Sequence, residues 1–165
     1  MPNTYTQLYV HVVFAVKGRA NLISRSWKEN LYQYITGIIT NKNQKLMVIN
    51  GMPDHVHILI GLKPDCNLSD LVRDIKANSS KWINENKWVA GKFEWQTGFG
   101  AFTVGQSQIQ AVVKYILNQE EHHKKKTFRD EYIEFLTAYQ IEFNTAYIFE
   151  DFGDAPTELK KEHDD

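Results

Sequence analysis

Leu46-Met47-Val48-Ile49-Asn50-Gly51-Met52-Pro53-Asp54-His55-Val56-His57-Ile58-Leu59-Ile60-Gly61-Leu62 reads as two strands around a tight turn. Pro53-Asp54 carries the turn, because proline presets its backbone angle and aspartate bonds its own main chain. After the turn, side chains alternate between faces. His55 and His57 therefore point one way, and Val56, Ile58 and Ile60 the other. Two imidazoles side by side on a strand can be half of a metal site. Taken alone, they are equally two histidines on a solvated sheet face.

Working outward, Tyr5 to Val16 alternates in the same way. Leu8, Val10, Val12, Phe14 and Val16 share one face, and Gln7, Tyr9, His11 and Lys17 the other. Between these strands, Ser26 is placed to cap a helix through about Thr40, with Leu31, Tyr34, Ile35 and Ile38 as its apolar stripe. After Leu62, Asn67 or Ser69 caps a second helix carrying Leu68, Leu71, Val72, Ile75, Trp82 and Ile83. Phe93 to Val104, broken by Gly98 and Gly100, suits a last strand entered through a loop or bulge. Ser107 opens a third helix through about His123, and Thr127 a fourth ending near Gln140.

The order β-α-β-β-α-β, then helices, is that of the split βαβ motif. The expected fold is α+β: a ferredoxin-like sandwich with a four-stranded antiparallel sheet plus C-terminal helices. Two helices cover one face and leave the other open, with His55, His57 and His11 on the open side. A single domain over residues 1–149 and an acidic tail over 150–165 are expected.

The chain has 165 residues, 42% of them hydrophobic, which excludes wholesale disorder. No apolar run approaches a membrane span, and Met1-Pro2-Asn3-Thr4 lacks the layout of a signal peptide. Cys66 is the single cysteine, which excludes an internal disulfide and a cysteine-rich zinc site, and suggests the cytoplasm. The net charge of −1 hides an asymmetry: Glu150 to Asp165 holds seven acids against Lys160 and Lys161, leaving 17 basic and 13 acidic residues before it. A mildly basic body is compatible with a polyanionic partner.

The third helix offers partners for the histidines. Its stripe is Ile109, Val112, Val113, Ile116 and Leu117, and Tyr115 and Gln119 lie four residues apart at its border. Packed over the sheet face, Gln119 supplies a carbonyl oxygen and Tyr115 a phenol. His122-His123-Lys124-Lys125-Lys126 reads as a solvated helix end, with backbone contact to DNA as the alternative. Asp54 reads as a turn residue, Glu120 and Glu121 as helix surface, and His11 as either a packing residue or a partner of the ligands.

Met-Pro-Asp-His-Val-His-Ile over 52–58 resembles the histidine-hydrophobe-histidine (HUH) motif of the single-tyrosine transposases of small bacterial and archaeal insertion sequences, REP-associated tyrosine transposases included. Tyr115-Ile116-Leu117-Asn118-Gln119 resembles that family's Tyr-x-x-x-Gln helix. His11 leading to Lys17 and Arg19, the Leu68–Trp82 helix with Ser79-Ser80-Lys81, and Trp95-Gln96-Thr97-Gly98-Phe99-Gly100 extend the similarity across about Tyr5 to His123.

The resemblance implies cleavage and rejoining of single-stranded DNA at hairpin-marked ends, through a 5′-phosphotyrosine link. It assigns Tyr115 as nucleophile and His55, His57 and Gln119 as ligands of a divalent ion, Mg²⁺ or Mn²⁺. It implies a homodimer in which the tyrosine helix, on a linker over Thr103–Gln106, can serve either subunit's site. Lys17, Arg19, Arg73, Lys76 and Lys81 are candidate phosphate contacts, the last three alternatively a solvated helix face. The other classes weighed are a noncatalytic single-strand binding module and a metal-dependent phosphoesterase using water. The acidic tail departs from the family pattern.

Overall fold

The computed structural model describes residues 3–142; the acidic tail and Tyr147 lie outside the described residues. Four strands, β1 (Leu8–Ala15), β2 (Lys45–Met52), β3 (His55–Leu62) and β4 (Gly100–Val104), form one sheet in the order β2-β3-β1-β4. Every pairing is antiparallel. Helices α1 (Lys28–Asn41) and α2 (Leu68–Asn86) provide the two crossovers, so the ferredoxin-like βαββαβ order holds. Three further helices follow: α3 (Ile109–Leu117), α4 (Gln119–His123) and α5 (Phe128–Ala138).

The main core lies between the sheet and the first two helices. Val12, Phe14, Val56, Ile58 and Ile60 meet Leu31, Ile35 and Ile39 of α1 and Leu71, Val72, Ile75 and Ile83 of α2. Burying each such side chain contributes about 1.5–3 kcal/mol, so this layer is the main stabilising term. The caps are partly those expected. Asn67 accepts from the Asp70 amide at 3.0 Å and Thr127 from the Asp130 amide at 3.2 Å. Ser26 does not cap α1, because it bonds Ser24 while Trp27 occupies the cap position.

The second sheet face is not open. Leu59, Val104 and Ile116 form one apolar cluster on it with Tyr9, Val112 and Val113. Val13, Ala15, Phe102, Phe128, Ile133 and Leu136 form another. The expected free face is therefore roofed by α3 and α5, which is why β1 carries valine and alanine at both parities near its end. The last strand is also shorter than expected. Residues 93–99 run as a loop, joined to the sheet only by the Val16–Trp95 bridge.

Two details position the histidine strand. Gly51 of β2 sits where a Cβ would meet the His55 carbonyl oxygen at 2.2 Å, so the hairpin closes only on glycine. The Asp54 carbonyl accepts from the Val16 amide at 2.8 Å and that of Pro53 from Ile23 at 2.9 Å, tying the turn to the end of β1.

Candidate metal centre and tyrosine

Register brings the site together. On the roofed face His55 lies opposite Ala15, His57 opposite Val13, and His11 opposite Leu59. His55 and His57 are fully buried and their ring centroids are 5.1 Å apart. Each ring is held by its Nδ1. His55 Nδ1 lies 2.7 Å from Asp54 Oδ1, and His57 Nδ1 lies 2.8 Å from His11 Nε2. Burial raises the Asp54 carboxyl, but the hydrogen bond and charge of His55, with Arg19 behind it, hold it below its ordinary value. It accepts, so His55 Nδ1 donates and Nε2 is the nitrogen that faces the site. If His57 Nδ1 donates to His11 in the same way, its Nε2 also faces the site as an acceptor. Asp54 is thus more than a turn residue, and His11 is the partner that orients His57.

The helix expected to run from Ser107 to His123 is two helices. Asn118, at φ −99 and ψ 27, separates α3 from α4. Asn50 of β2 donates to the freed carbonyls of Ile116 and Leu117 at 3.0 and 3.2 Å. The break leaves Leu117 exposed rather than on the apolar stripe. It also turns α4 so that Gln119 is fully buried, with Oε1 3.2 Å from His55 Nε2. The Gln119 amide nitrogen points at the Tyr115 carbonyl, 3.5 Å away, which fixes its oxygen toward the histidines.

Tyr115 lies over the same chain's histidines, its ring centroid 5.9 Å from that of His57 and 6.3 Å from that of His11. Its hydroxyl hydrogen-bonds Glu131 Oε2, and His122 Nε2 is 3.3 Å away. The linker leading to α3 is shorter than expected, since Thr103 and Val104 belong to β4 and Gln106–Gln108 form a 3-10 turn.

Two residues outside the expected site enter it: His123, expected on a solvated helix end, and Glu131, which carried no expectation. His123 is not on a solvated end: its side chain is 7% exposed, its Nδ1 is 2.9 Å from the Lys126 carbonyl and its Nε2 3.0 Å from Gln119 Oε1. Glu131 of α5 is 1% exposed, with Oε1 2.9 Å from His57 Nε2. The helical step from Tyr115 to Gln119 continues to His123. Glu131 is an acid three residues from Phe128 and four from Phe135, inside an apolar stripe. Those were the signals available in the sequence.

Burial sets the charge states. It lowers His11 and His123 to about 4 and drives His57 well below its ordinary value, with neighbouring imidazoles adding to the effect on His57 and His123. Burial raises Glu131 to about 8, helped by Asp54 and Glu134. Ligand atoms of His55, His57, His123 and Glu131 all lie within 4.8 Å of one another. Donors bound at ~2.1 Å to one ion stand roughly 3.0–3.4 Å apart. Imidazole nitrogens, an amide oxygen and a carboxyl group gathered this closely are the donor types a divalent cation takes, and the cluster can hold one after a small contraction.

The candidate phosphate contacts lie elsewhere. Arg73, Lys76 and Lys81 line a cleft of about 680 Å³ between α2 and residues 92–98, with Phe93, Trp95 and Phe99. Lys76 spends its ammonium on the carbonyls of Gln96, at 2.8 Å, and Gly98, and burial lowers it to about 8. Arg73 pairs with Asp70 at 3.1 Å, and exposed Lys17 with Glu94 at 3.1 Å. Arg19 is half-buried with φ 51, after Lys17 and near Asp54. Glu120 and Glu121 are on the surface as expected, facing Arg25 and Lys124.

The IS200-like transposase family matches residues 4–119, and the chain belongs to it. It is 25% identical over 122 residues to the ISDra2 transposase TnpA of Deinococcus radiodurans, covering 70% of this chain and 86% of that protein. A transposase crystal structure from Deinococcus radiodurans R1 shares the fold at TM-score 0.58 and 24% identity, over 71% of this chain and 94% of that one. A REP-associated tyrosine transposase bound to a REP hairpin does so at TM-score 0.58 and 15% identity, over 94% and 92%. His123 and Glu131 lie beyond the family match. Among the described residues, no helix is long and apolar enough to cross a membrane.

Proposed function

We propose that this transposase cuts and rejoins single-stranded DNA at hairpin-marked ends, with Tyr115 as nucleophile and His55, His57 and Gln119 holding Mg²⁺ or Mn²⁺. The observation that carries this reading is the Tyr115 hydroxyl beside a buried cluster of ligand atoms in the same chain. The phenolic oxygen attacks the phosphorus, the bond to the 3′ oxygen breaks, and a 5′-phosphotyrosine and a free 3′-hydroxyl result. The proton shed by the phenol has His122 Nε2 within reach, and Glu131 Oε2 once that carboxyl is ionised, as a bound cation would favour. A divalent ion, when bound, polarises the phosphate and neutralises charge as the bond breaks. Because the phosphodiester energy is kept in the tyrosyl link, rejoining a new 3′-hydroxyl needs no high-energy cofactor.

The DNA partner is proposed as a hairpin-bearing single strand, in keeping with the REP hairpin bound by the structural neighbour. Lys17, Arg19, Arg73, Lys76 and Lys81 remain the proposed phosphate contacts, with Arg73 and Lys81 on the aromatic cleft the best placed. A homodimer acting in the cytoplasm completes the reading. The experiment is cleavage of a 3′-labelled hairpin oligonucleotide with Mn²⁺. A label that migrates with the protein supports the reading, and a free 5′-phosphate fragment without adduct means water is the nucleophile.

A further inference from the structure

We propose that His123 and Glu131 are ligands of the same ion as His55 and His57, so that α4 and α5 finish a centre of three imidazoles and one carboxylate within a single chain. The proposal rests on the reading above, in which the histidine pair holds a cation, and changes who else holds it. The Lys126 carbonyl can only accept, so the neutral His123 ring gives it the Nδ1 proton at 2.9 Å and turns a bare Nε2 inward. That lone pair faces another acceptor, Gln119 Oε1, at 3.0 Å, and Glu131 Oε1 at 3.5 Å. His55 Nε2 meets the same two oxygens at 3.2 and 3.8 Å. With His57 Nε2 2.9 Å from Glu131 Oε1, ligand atoms of His55, His57, His123 and Glu131 all lie within 4.8 Å of one another, beside the Gln119 oxygen.

Where both atoms of such a contact present lone pairs, a cation between them relieves the repulsion. A purely structural hydrogen-bonded cluster supplies a proton for each contact, and here the Nδ1 protons of His55 and His123 are already committed outward. Gln119 becomes a supporting or fifth donor. The second oxygen of Glu131 is the one that Tyr115 and His122 touch, His122 Nε2 at 2.9 Å. Glu131 thus links the ion to the phenol. A set dominated by imidazole selects Mn²⁺, Co²⁺ or Zn²⁺ over Mg²⁺, which prefers oxygen and water.

The test is calorimetric titration of Mn²⁺ into the metal-free full chain and into His123→Ala, Glu131→Gln and His55→Ala, with circular dichroism of each before metal. One ion per chain in the unmodified protein, bound at least tenfold more weakly by both His123→Ala and Glu131→Gln, is the expected result. If His55→Ala loses binding while His123→Ala and Glu131→Gln stay within twofold, the proposal is overturned and the histidine-pair reading stands. If the unmodified chain binds no ion, both are overturned. Should a variant fail to fold, pulsed electron paramagnetic resonance of Mn²⁺ on the unmodified chain decides: three coordinated imidazole nitrogens are expected, and two overturn the proposal.

Discussion

Glu131 Oε1 lies 2.9 Å from His57 Nε2, although the two residues are 74 positions apart and stand on α5 and β3. Glu131 Oε2 meets Tyr115, so one carboxylate joins the roof of the sheet face to the histidines below it. Tyr115 packs over the histidines of its own chain, the placement expected if it acts there. Mixing His57→Ala with Tyr115→Phe should therefore leave adduct formation no higher than in either variant alone. Recovery toward half of the unmodified level would show that subunits exchange tyrosine helices.

The ligand types bear on the choice of ion. At 100 times its dissociation constant, an ion that binds only the folded chain stabilises it by about 2.7 kcal/mol, or roughly 5–10 °C for a domain of this size. Mn²⁺, Co²⁺ or Zn²⁺ should raise the melting temperature by that amount, and Mg²⁺ at equal concentration by much less. Equal shifts would indicate an oxygen-rich site instead.

The buried groups give the metal-free protein a pH optimum. His11, His57 and His123 have lowered values in the fold, so unfolding takes up their protons as pH falls below about 6.5. Their stabilisation is complete above that pH and is lost as pH falls, towards about 4 for His11 and His123. Glu131, raised to about 8, works the other way, because the fold keeps a proton that the unfolded chain releases above its ordinary value. Three histidines against one glutamate leave a net proton uptake on unfolding between pH 5 and 6, so stability rises with pH there. Above pH 6.5 stability falls with rising pH until Glu131 ionises in the fold, at about 8. Urea midpoints measured with a chelator should peak near pH 6.5. A midpoint that keeps rising to pH 8 would contradict the burial of Glu131.

Much of this was legible in the chain. The alternation around His55 and His57 and the order of elements yield the four-stranded sheet, because period and turn chemistry are local. The i,i+4 spacing of Tyr115 and Gln119 gave half the site for the same reason. What escaped depends on tertiary packing. No local signal marks Asn118 as a helix break, which rests on Asn50 of β2 donating its side-chain amide to the freed carbonyls. Nor does composition tell that α5 roofs the sheet, so His123, in a run of lysines, reads as solvated until Phe128 is seen stacked on His55, centroids 3.6 Å apart.

Gly51 tests the link between hairpin and site. Its missing Cβ would lie 2.2 Å from the His55 carbonyl oxygen, a main-chain atom that cannot rotate aside. Gly51→Ala should cost about 3 kcal/mol in chemical denaturation and weaken metal binding by moving His55. A change below about 0.5 kcal/mol would mean that the strands are free to shift there.

The tyrosine chemistry itself is tested most directly by intact-protein and peptide mass spectrometry after incubation with a hairpin-bearing single strand and Mn²⁺. The expected result is one oligonucleotide mass added to the peptide that contains Tyr115, and none in Tyr115→Phe, which keeps the ring and the fold. An adduct that persists in Tyr115→Phe, or that maps to another tyrosine, would contradict Tyr115 as the group that takes the DNA.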